Sequence, residues 1–268
     1  MALTLGLVTD LHFGPDTWFR GRLRKLCHRA PDLTAAVVRA MNDTHHPDLF
    51  VNLGDDLEDE SPAQDLERYA QCQALLRQSR APLVNVAGNH DLIHLTPADL
   101  NALWGRQGPL YHSFDHGGFH LVVLHTVERK DRDVRVAAEQ LSWLREDLRG
   151  TALPTVVLMH HPADEQDLSD SRWFSGVPHL ALVEERRALR ELLTESSKVR
   201  MVLNGHVHRN HLSVHGGVPY VTIQSLIENL DDSAPGRVSG AYATVTLDAR
   251  ASVVRVHGED PARYQFEP

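Results

Sequence analysis

The sequence predicts an α/β protein whose central strands run mostly parallel. Short apolar runs with the length and branched-residue content of buried strands alternate with segments of helical periodicity. The order strand, helix, strand implies parallel strands joined by right-handed crossovers. In addition, five of the apolar runs end in clusters of polar residues, at the position where open α/β sheets bind their ligands.

The predicted elements follow in chain order. The strands are the apolar runs 3–8, 48–53, 82–87, 155–159 and 199–204. The helices are 33–45, 65–79, a segment that starts at Thr96-Pro97, 137–150 and 183–197. Asp32 is expected to cap the first helix. Ser61, followed by Pro62 and by Gln64 three residues on, is expected to begin the second.

The C-terminal part has a different pattern. Segments 218–225, 240–248 and 251–258 are separated by short turns and are predicted to form an antiparallel meander. No sequence repeat, low-complexity tract or linker rich in Pro, Gly or Ser divides the chain. We therefore expect a single domain over residues 1–268.

Composition limits the class of protein. Of 268 residues, 42% are hydrophobic and 24% are charged, as in globular proteins rather than disordered or membrane proteins. The net charge of -9 disfavours nucleic acid as a partner, because nucleic-acid grooves normally carry a basic face. Two cysteines, no signal peptide and no long apolar run predict a cytoplasmic protein without a membrane span. An assembly of identical subunits is compatible with all of this.

Five polar clusters follow the predicted strands: DLH at 10–12, GDDLE at 54–58, GNHD at 88–91, HHP at 160–162 and GHVH at 205–208. Asp, Asn and His together suit borderline transition metals such as Mn, Fe and Zn. So many candidate ligands suit two ions that share a carboxylate and clamp the oxygens of a phosphoryl transfer. The alternative, Asp and His residues that only keep loops soluble, is disfavoured by their order and their place after strands.

The ordered clusters resemble the signature of the calcineurin-like metallophosphoesterases, D-x-H, G-D-x-x-D/E, G-N-H-D/E, H and G-H-x-H. The match extends from Asp10 to His208. The resemblance implies a four-layer α/β/β/α sandwich of two mixed β-sheets. It also implies hydrolysis of a phosphate ester by a metal-bound hydroxide, at a centre of two divalent or trivalent transition metal ions.

The resemblance also assigns roles to residues. The implied metal ligands are Asp10, His12 and His208 at the first ion, Asn89, His160 and His206 at the second, and Asp55 between the two. His90 would protonate the leaving oxygen and Asp91 would orient it. The alternative for His90 is a surface histidine stabilised by Asp91. Within the HHP cluster, His160 rather than His161 is the expected ligand.

One position departs from a branch of this family. Glu58 stands where purple acid phosphatases have a metal-binding tyrosine, so the iron–tyrosine colour of that branch is not expected. We expect Glu58 to contact a metal ligand instead of an ion.

Two segments have more than one interpretation. The basic cluster between Arg20 and Arg29 either guides an anionic substrate towards the metals or forms a solvated face. Segment 163–183, which contains Trp173 and Phe174, either stacks on a substrate group or packs as a lid or a subunit interface.

The expected function is that of a phosphodiesterase acting on a small-molecule phosphate ester. The GNHD and HHP clusters resemble those of bacterial phosphodiesterases that act on cyclic nucleotides or glycerophosphodiesters. A phosphomonoesterase is the alternative enzyme, and the net charge disfavours a nuclease. A scaffold that keeps the fold without catalysis is an alternative of another class. His90 and the complete set of ligand positions argue against that scaffold.

Overall fold

The structure, a computed structural model, describes residues 2–231, 233–248 and 250–267. The helices in this part of the chain are α1 (Ala30–Ala40), α2 (Pro62–Leu76), α3 (Pro97–Trp104), α4 (Ala138–Gly150) and α5 (Arg186–Glu195). A π-helical turn, Met41–His45, extends α1, and short 3-10 helices cover Cys27–Arg29, His90–Leu92 and Pro178–Leu180.

The strands of the described residues belong to two six-stranded sheets and two small hairpins. They are β1 (Leu3–Val8), β2 (Thr17–Phe19), β3 (Arg22–Lys25), β4 (Leu49–Asn52), β5 (Leu83–Asn85), β6 (His112–His116), β7 (Phe119–Val123), β8 (Val127–Arg129), β9 (Asp133–Arg135), β10 (Thr155–Leu158), β11 (Val199–Asn204), β12 (His211–His215), β13 (Val218–Thr222), β14 (Tyr242–Leu247), β15 (Ser252–His257) and β16 (Ala262–Phe266).

Both large sheets are mixed. The first has the order β16-β15-β14-β1-β4-β5 and the second the order β12-β13-β11-β10-β7-β6. The central strands pair in parallel, β1 with β4 and β4 with β5 in one sheet, and β7, β10, β11 and β13 in the other. The outer strands are antiparallel. The predicted parallel strands are therefore confirmed, distributed over two sheets.

Alternation of side chains along the strands builds four layers, because successive residues point to opposite faces of a sheet. Leu7 of β1 and Leu158 of β10 share the core between the two sheets. On the outer faces, Val8 packs with residues of α1 and α2, and Val157 packs with residues of α4 and α5. This is the expected α/β/β/α sandwich.

The helix starts follow the sequence signals unevenly. Thr96 forms a capping box with Asp99, with Pro97 in the first turn of α3. Ser61 is the N-cap residue of α2, but its hydroxyl bonds to Gln64 and not to a backbone amide. The prediction that Asp32 caps α1 is wrong, because the helix begins at Ala30 and places Asp32 inside its first turn.

The C-terminal meander differs from the prediction. β14 and β15 pair antiparallel as expected, and β16 continues them. The predicted strand at 218–225, however, becomes β13 of the other sheet, parallel to β11 and antiparallel to β12. A local alternation of apolar residues carries no information on which of two sheets a strand joins. Among the described residues, no helix has the length and hydropathy that a transmembrane span requires.

Candidate active site

The loops that follow the parallel strands are hydrogen-bonded to one another and form one surface. The amides of Asp10 and His12 donate to the carbonyls of Gly54 and Asp55 at 2.9 and 3.0 Å. The amide of Gly205 donates to the carbonyl of His160 at 3.0 Å. Because these strands end at the same edge of the sandwich, the polar clusters meet there.

The backbone of this surface is strained. Nine non-glycine residues in the described part of the chain have a positive φ, and five of them are predicted metal ligands. These five are Asp10, His12, Asp55, His206 and His208, with φ between 45° and 69°. Left-handed backbone at such residues costs free energy and persists at sites where side-chain direction matters for function.

The first group of predicted ligands converges. The Nε2 atoms of His12 and His208 are 3.2 Å apart. Asp10 Oδ1 lies 3.3 Å from His208 Nε2 and 4.0 Å from His12 Nε2. On the other side of each ring a carboxylate contacts Nδ1, Glu58 at 2.9 Å for His12 and Glu228 at 2.8 Å for His208.

The second group lies beside the first. His160 Nε2 is 3.1 Å from Asn89 Oδ1 and 3.3 Å from Asp55 Oδ2. The same Asp55 oxygen is 3.8 Å from His12 Nε2, so this carboxylate faces both groups. His160 Nδ1 contacts the carbonyl of Leu53 at 2.9 Å. His206 Nε2 lies 3.2 Å from the carbonyl of Leu180, which leaves Nδ1 as the atom that can bind a metal ion.

These donors fit metal ions. Carboxylates contact Nδ1 of both His12 and His208, which leaves their two Nε2 atoms, 3.2 Å apart, as the atoms available to a metal ion. Imidazole, carboxylate and amide oxygen together suit Mn, Fe or Zn. The seven residues that the resemblance implies as ligands are thus brought together at one edge of the sandwich.

The electrostatics of the groups favour positive charge at their centre. Burial lowers the pKa of His206 to about 3, so this ring is neutral. Burial also opposes the charging of His208, but the carboxylates of Asp10 and Glu228 outweigh it and raise its pKa to about 9. In the same way, Asp55 overcomes burial and raises the pKa of His160 to about 10. The field that holds these protons would stabilise metal cations, whose binding releases them.

Glu58 and Lys25 support His12 from the side away from the other ligands. Lys25 Nζ lies 2.6 Å from Glu58 Oε2 and 3.3 Å from His12 Nδ1. The structure therefore agrees with the expectation that Glu58 contacts a ligand. Sequence reasoning missed Lys25 and Glu228 as supporting residues. Lys25 is noticeable in the sequence only as part of the basic cluster, Glu228 belongs to no motif, and only the folded chain brings them to the histidines.

His90 is oriented by a different carboxylate from the one expected. Its Nδ1 lies 2.5 Å from Asp59 Oδ1, and its ring stands edge-on to His12 with centroids 4.8 Å apart. The prediction that Asp91 orients this ring is wrong. Both oxygens of Asp91 accept backbone amides, from Gly88 at 2.8 Å, Asp55 at 3.0 Å and Asp56 at 2.7 Å. Asp91 therefore fastens the GNHD loop to the GDDLE loop.

Two glycines leave the space that the ligand carboxylates occupy. A Cβ atom on Gly88 would lie 2.1 Å from Asp55 Oδ1, and one on Gly205 would lie 2.6 Å from Asp10 Oδ2. In the structure the protein's own carboxylates fill that space.

We predict that Gly88→Ala destabilises the metal-free protein. The added methyl group collides with a buried side chain and backbone, and overpacking of this kind costs about 1–3 kcal/mol. Urea unfolding of the variant measures the loss. Gly150→Ala is the control, because a Cβ atom at Gly150 meets nothing within 4 Å. Equal stability of Gly88→Ala and Gly150→Ala would contradict the close approach.

The two histidines of the HHP cluster have different contacts. His160 contacts Asn89 and Asp55, whereas His161 Nδ1 lies 2.7 Å from the hydroxyl of Thr126. A ligand atom of His161 is nevertheless within 4.8 Å of those of His160 and His206. The geometry keeps His160 as the better candidate for a shared site with Asp55.

The two segments with open interpretations meet beside this site. Phe19 of β2 stacks on Trp173 with ring centroids 5.1 Å apart, and Trp173 stands edge-on to His208 at 5.5 Å. Phe174 lies 4.8 Å from His206. The basic cluster is not a uniform solvated face, because Arg24 and Lys25 are buried.

Comparison with known proteins agrees with this geometry. The model of the calcineurin-like phosphoesterase family matches residues 3–210. A protein of Synechococcus sp. named a probable cyclic nucleotide phosphodiesterase is 28% identical over 81% of this chain and 77% of its own length. A cAMP/cGMP dual specificity phosphodiesterase of Mycobacterium tuberculosis is 28% identical over 71% of this chain, and the match spans 58% of that relative.

Solved structures show the same fold. A dimetal phosphatase from Danio rerio superimposes with a TM-score of 0.78 and 16% identity, covering 99% of this chain and 98% of that chain. A purple acid phosphatase from yellow lupin seeds gives a TM-score of 0.70 over the whole of this chain and 54% of its own. With the family model matching most of its length, the chain belongs to the calcineurin-like phosphoesterases and is a metal-dependent phosphoric ester hydrolase.

Proposed function

We propose that this protein is a phosphodiesterase with two metal ions that hydrolyses cyclic nucleotides. The observation that carries the two-ion part is the position of Asp55, whose Oδ2 lies 3.8 Å from His12 Nε2 in one group of ligands and 3.3 Å from His160 Nε2 in the other. A carboxylate with one oxygen between two sets of imidazoles is the arrangement expected of a bridge.

Each residue has a defined task in this proposal. Asp10, His12 and His208 would hold one ion, Asn89, His160 and His206 would hold the other, and Asp55 lies between the two groups. Ions held there would neutralise charge on the phosphoryl oxygens and lower the pKa of the attacking water. We infer that the ions are Mn, Fe or Zn, because the ligand atoms are imidazole nitrogens and carboxylate or amide oxygens.

His90 is the proposed proton donor to the leaving oxygen. Its side chain is 25% exposed and its Nδ1 is held by Asp59, so Nε2 is the atom available to a substrate. The neighbouring carboxylate fixes the orientation of the ring, as a general acid requires. The hydrogen bond to His90 also lowers the pKa of Asp59, so that Asp59 stays ionised.

Charge around the site supports a diester substrate. Lys25, the basic side chain that contacts His12, is already paired with Glu58. Its charge is therefore not available to neutralise the second negative charge that distinguishes a phosphate monoester from a diester. The names of the relatives from Synechococcus and Mycobacterium favour cyclic nucleotides among the diesters.

Buried free thiols at Cys27 and Cys72 support a reducing compartment such as the cytoplasm.

We predict that the enzyme has no strong visible absorption band, even with ferric iron bound. Glu58, which stands where purple acid phosphatases have a metal-binding tyrosine, contacts His12 Nδ1 and Lys25. The hydroxyl of Tyr69 accepts a hydrogen bond from Trp104 Nε1. The visible spectrum of the iron-loaded protein measures this directly. An intense purple band would show that a tyrosine reaches the iron.

The experiment that tests the proposed function compares esters. The metal-loaded enzyme is assayed with cyclic AMP, with bis(p-nitrophenyl) phosphate and with the monoester p-nitrophenyl phosphate. We expect turnover of cyclic AMP and a higher kcat/KM for the aryl diester than for the aryl monoester. A higher kcat/KM for the monoester, with no turnover of cyclic AMP, would identify a phosphomonoesterase.

A further inference from the structure

A cavity of about 240 Å³ lies beside the metal ligands and takes no part in the chemistry described above. His208 lines it and also belongs to the first group of ligands. The other walls include Trp173, Arg209, Gln224 and Glu228. A group bound there would therefore lie next to a phosphate held at the metals.

The size and charge of this cavity limit what it binds. Sites for a complete drug-sized ligand enclose about 300–1,000 Å³, so this cavity has room for only a part of a substrate. Three carboxylates, those of Asp170, Glu228 and Asp260, and two guanidinium groups, those of Arg172 and Arg209, line it. Arg209 pairs with Asp170 at 2.9 Å and Arg172 lies 3.7 Å from Glu228, so these charges largely cancel and the lining favours a neutral group with hydrogen-bond donors and acceptors.

One aromatic wall of the cavity is fixed by the same carboxylate that orients a metal ligand. Glu228 Oε2 lies 2.8 Å from His208 Nδ1 and 3.1 Å from Trp173 Nε1. Phe19 stacks on Trp173 from the β2–β3 hairpin. Trp173 is thus held in one orientation before any ligand arrives, which lowers the entropic cost of binding a flat group against it.

Gln224 offers the cavity a polar group that is fixed in place. The residue is 4% exposed, and its Oε1 accepts the amide of Ser225 at 2.9 Å. Within residues 2–231, 233–248 and 250–267, no hydrogen bond engages its Nε2. An amide donor on a fixed side chain that borders a cavity and has no partner in the described residues is placed to recognise an acceptor on a ligand.

We propose that this cavity binds the nucleobase of the substrate, with Trp173 as its aromatic wall and Gln224 Nε2 as donor to a ring nitrogen or carbonyl of the base. A nucleobase is flat, neutral and carries such acceptors, and it is joined through one sugar to the phosphate. The inference rests on the proposed action on cyclic nucleotides and names Gln224 as a specificity-determining residue.

Equilibrium binding separates the base from the phosphate. Calorimetry on the metal-loaded protein compares adenosine 5′-monophosphate with ribose 5-phosphate, which presents the same phosphate without a base. We expect the nucleotide to bind about three- to tenfold more tightly, the factor that one neutral hydrogen bond provides. Gln224→Ala should abolish this preference, and Gln107→Ala, at an exposed glutamine, should keep it. Equal binding of both ligands to the wild-type protein would overturn the proposal without reliance on any variant, as would a preference that Gln224→Ala leaves unchanged.

Hydrolysis of cyclic AMP, measured on the same preparations, distinguishes the two proposals. Hydrolysis without any preference for the base-containing ligand would overturn the nucleobase cavity and leave the proposed function in place. A preference for the base in a protein that does not hydrolyse cyclic AMP would support the cavity and contradict the proposed substrate.

Discussion

Asp55→Asn is expected to weaken metal binding at both positions, and this is the largest effect of any single substitution in the site. One oxygen of Asp55 faces both groups of ligands, at 3.8 Å from His12 Nε2 and 3.3 Å from His160 Nε2. An amide has the same shape, but it lacks the negative charge that a shared ligand contributes. Loss of a residue that merely supports a ligand costs about 10–100-fold in metal affinity, so loss of the bridge should cost at least about 100-fold at each position.

Chelator competition with elemental analysis measures the affinity of both ions for the wild-type and variant proteins. Asp43→Asn is the matched control, because Asp43 is exposed and is paired with Arg80 at the surface. Retention of two tightly bound ions by Asp55→Asn would contradict the bridging role. Loss of one ion alone would assign Asp55 to a single metal.

His90→Ala is expected to keep the metal content and to lower turnover. General acid catalysis contributes about 10²–10⁴-fold, so a loss in this range is expected for an alkyl diester, whose leaving oxygen needs a proton. An activated aryl diester leaves without one, and its loss should be clearly smaller. The measurement is kcat for both esters with wild type and variant, each with its metal content determined.

The neighbours of His90 refine this test. Asp59→Asn should reproduce part of the loss on the alkyl diester, because Asp59 holds His90 Nδ1 at 2.5 Å. His94→Ala is the matched control, since His94 is also paired with a carboxylate, Asp65 at 2.7 Å, but lies outside the ligand groups. Equal losses on alkyl and aryl esters would show that His90 binds the phosphate. Loss of a metal ion from His90→Ala would make it a ligand.

The metal centre could be predicted from sequence because its signal is local and repeated. Each ligand lies within a few residues of the end of an apolar strand. In DLH, GNHD and GHVH, the distance in sequence between the polar residues is fixed because one short loop carries them. Parallel strands then bring the loops to one edge of the sandwich. Strand order and residue type therefore place the five clusters together, and the resemblance to the metallophosphoesterase signature selects the seven candidate ligands within them.

The supporting residues could not be predicted in this way. Glu228 lies 20 positions from His208, and Lys25 lies 33 positions from Glu58. Their contacts depend on how the β2–β3 hairpin and the loop after β13 fold over the site. Asp59 is a supporting residue that lies closer in sequence to the predicted site. It follows Glu58 directly, and only the path of the backbone decides that Glu58 faces His12 while Asp59 faces His90.

Contacts between residues that are distant in sequence also explain where the observed fold differs from the predicted one. An alternating run such as 218–225 is correctly predicted as a strand, but its partner is chosen by contacts that are distant in sequence. The short pairs β2–β3 and β8–β9 are too brief and too polar to give a periodic signal. The resemblance implies that Asp91 orients His90, whereas the hydrogen bonds of Asp91 reach across to the GDDLE loop.

The central claim is that two metal ions act together in the hydrolysis of a cyclic nucleotide. Its most direct test is the rate of cyclic AMP hydrolysis as Mn²⁺ is titrated into the metal-free protein, with bound metal measured at each point. The account predicts no hydrolysis without metal and full activity only when two ions are bound per chain, because the ligands form two groups that share Asp55. Full activity with one bound ion, or no hydrolysis of cyclic AMP with two, would contradict it.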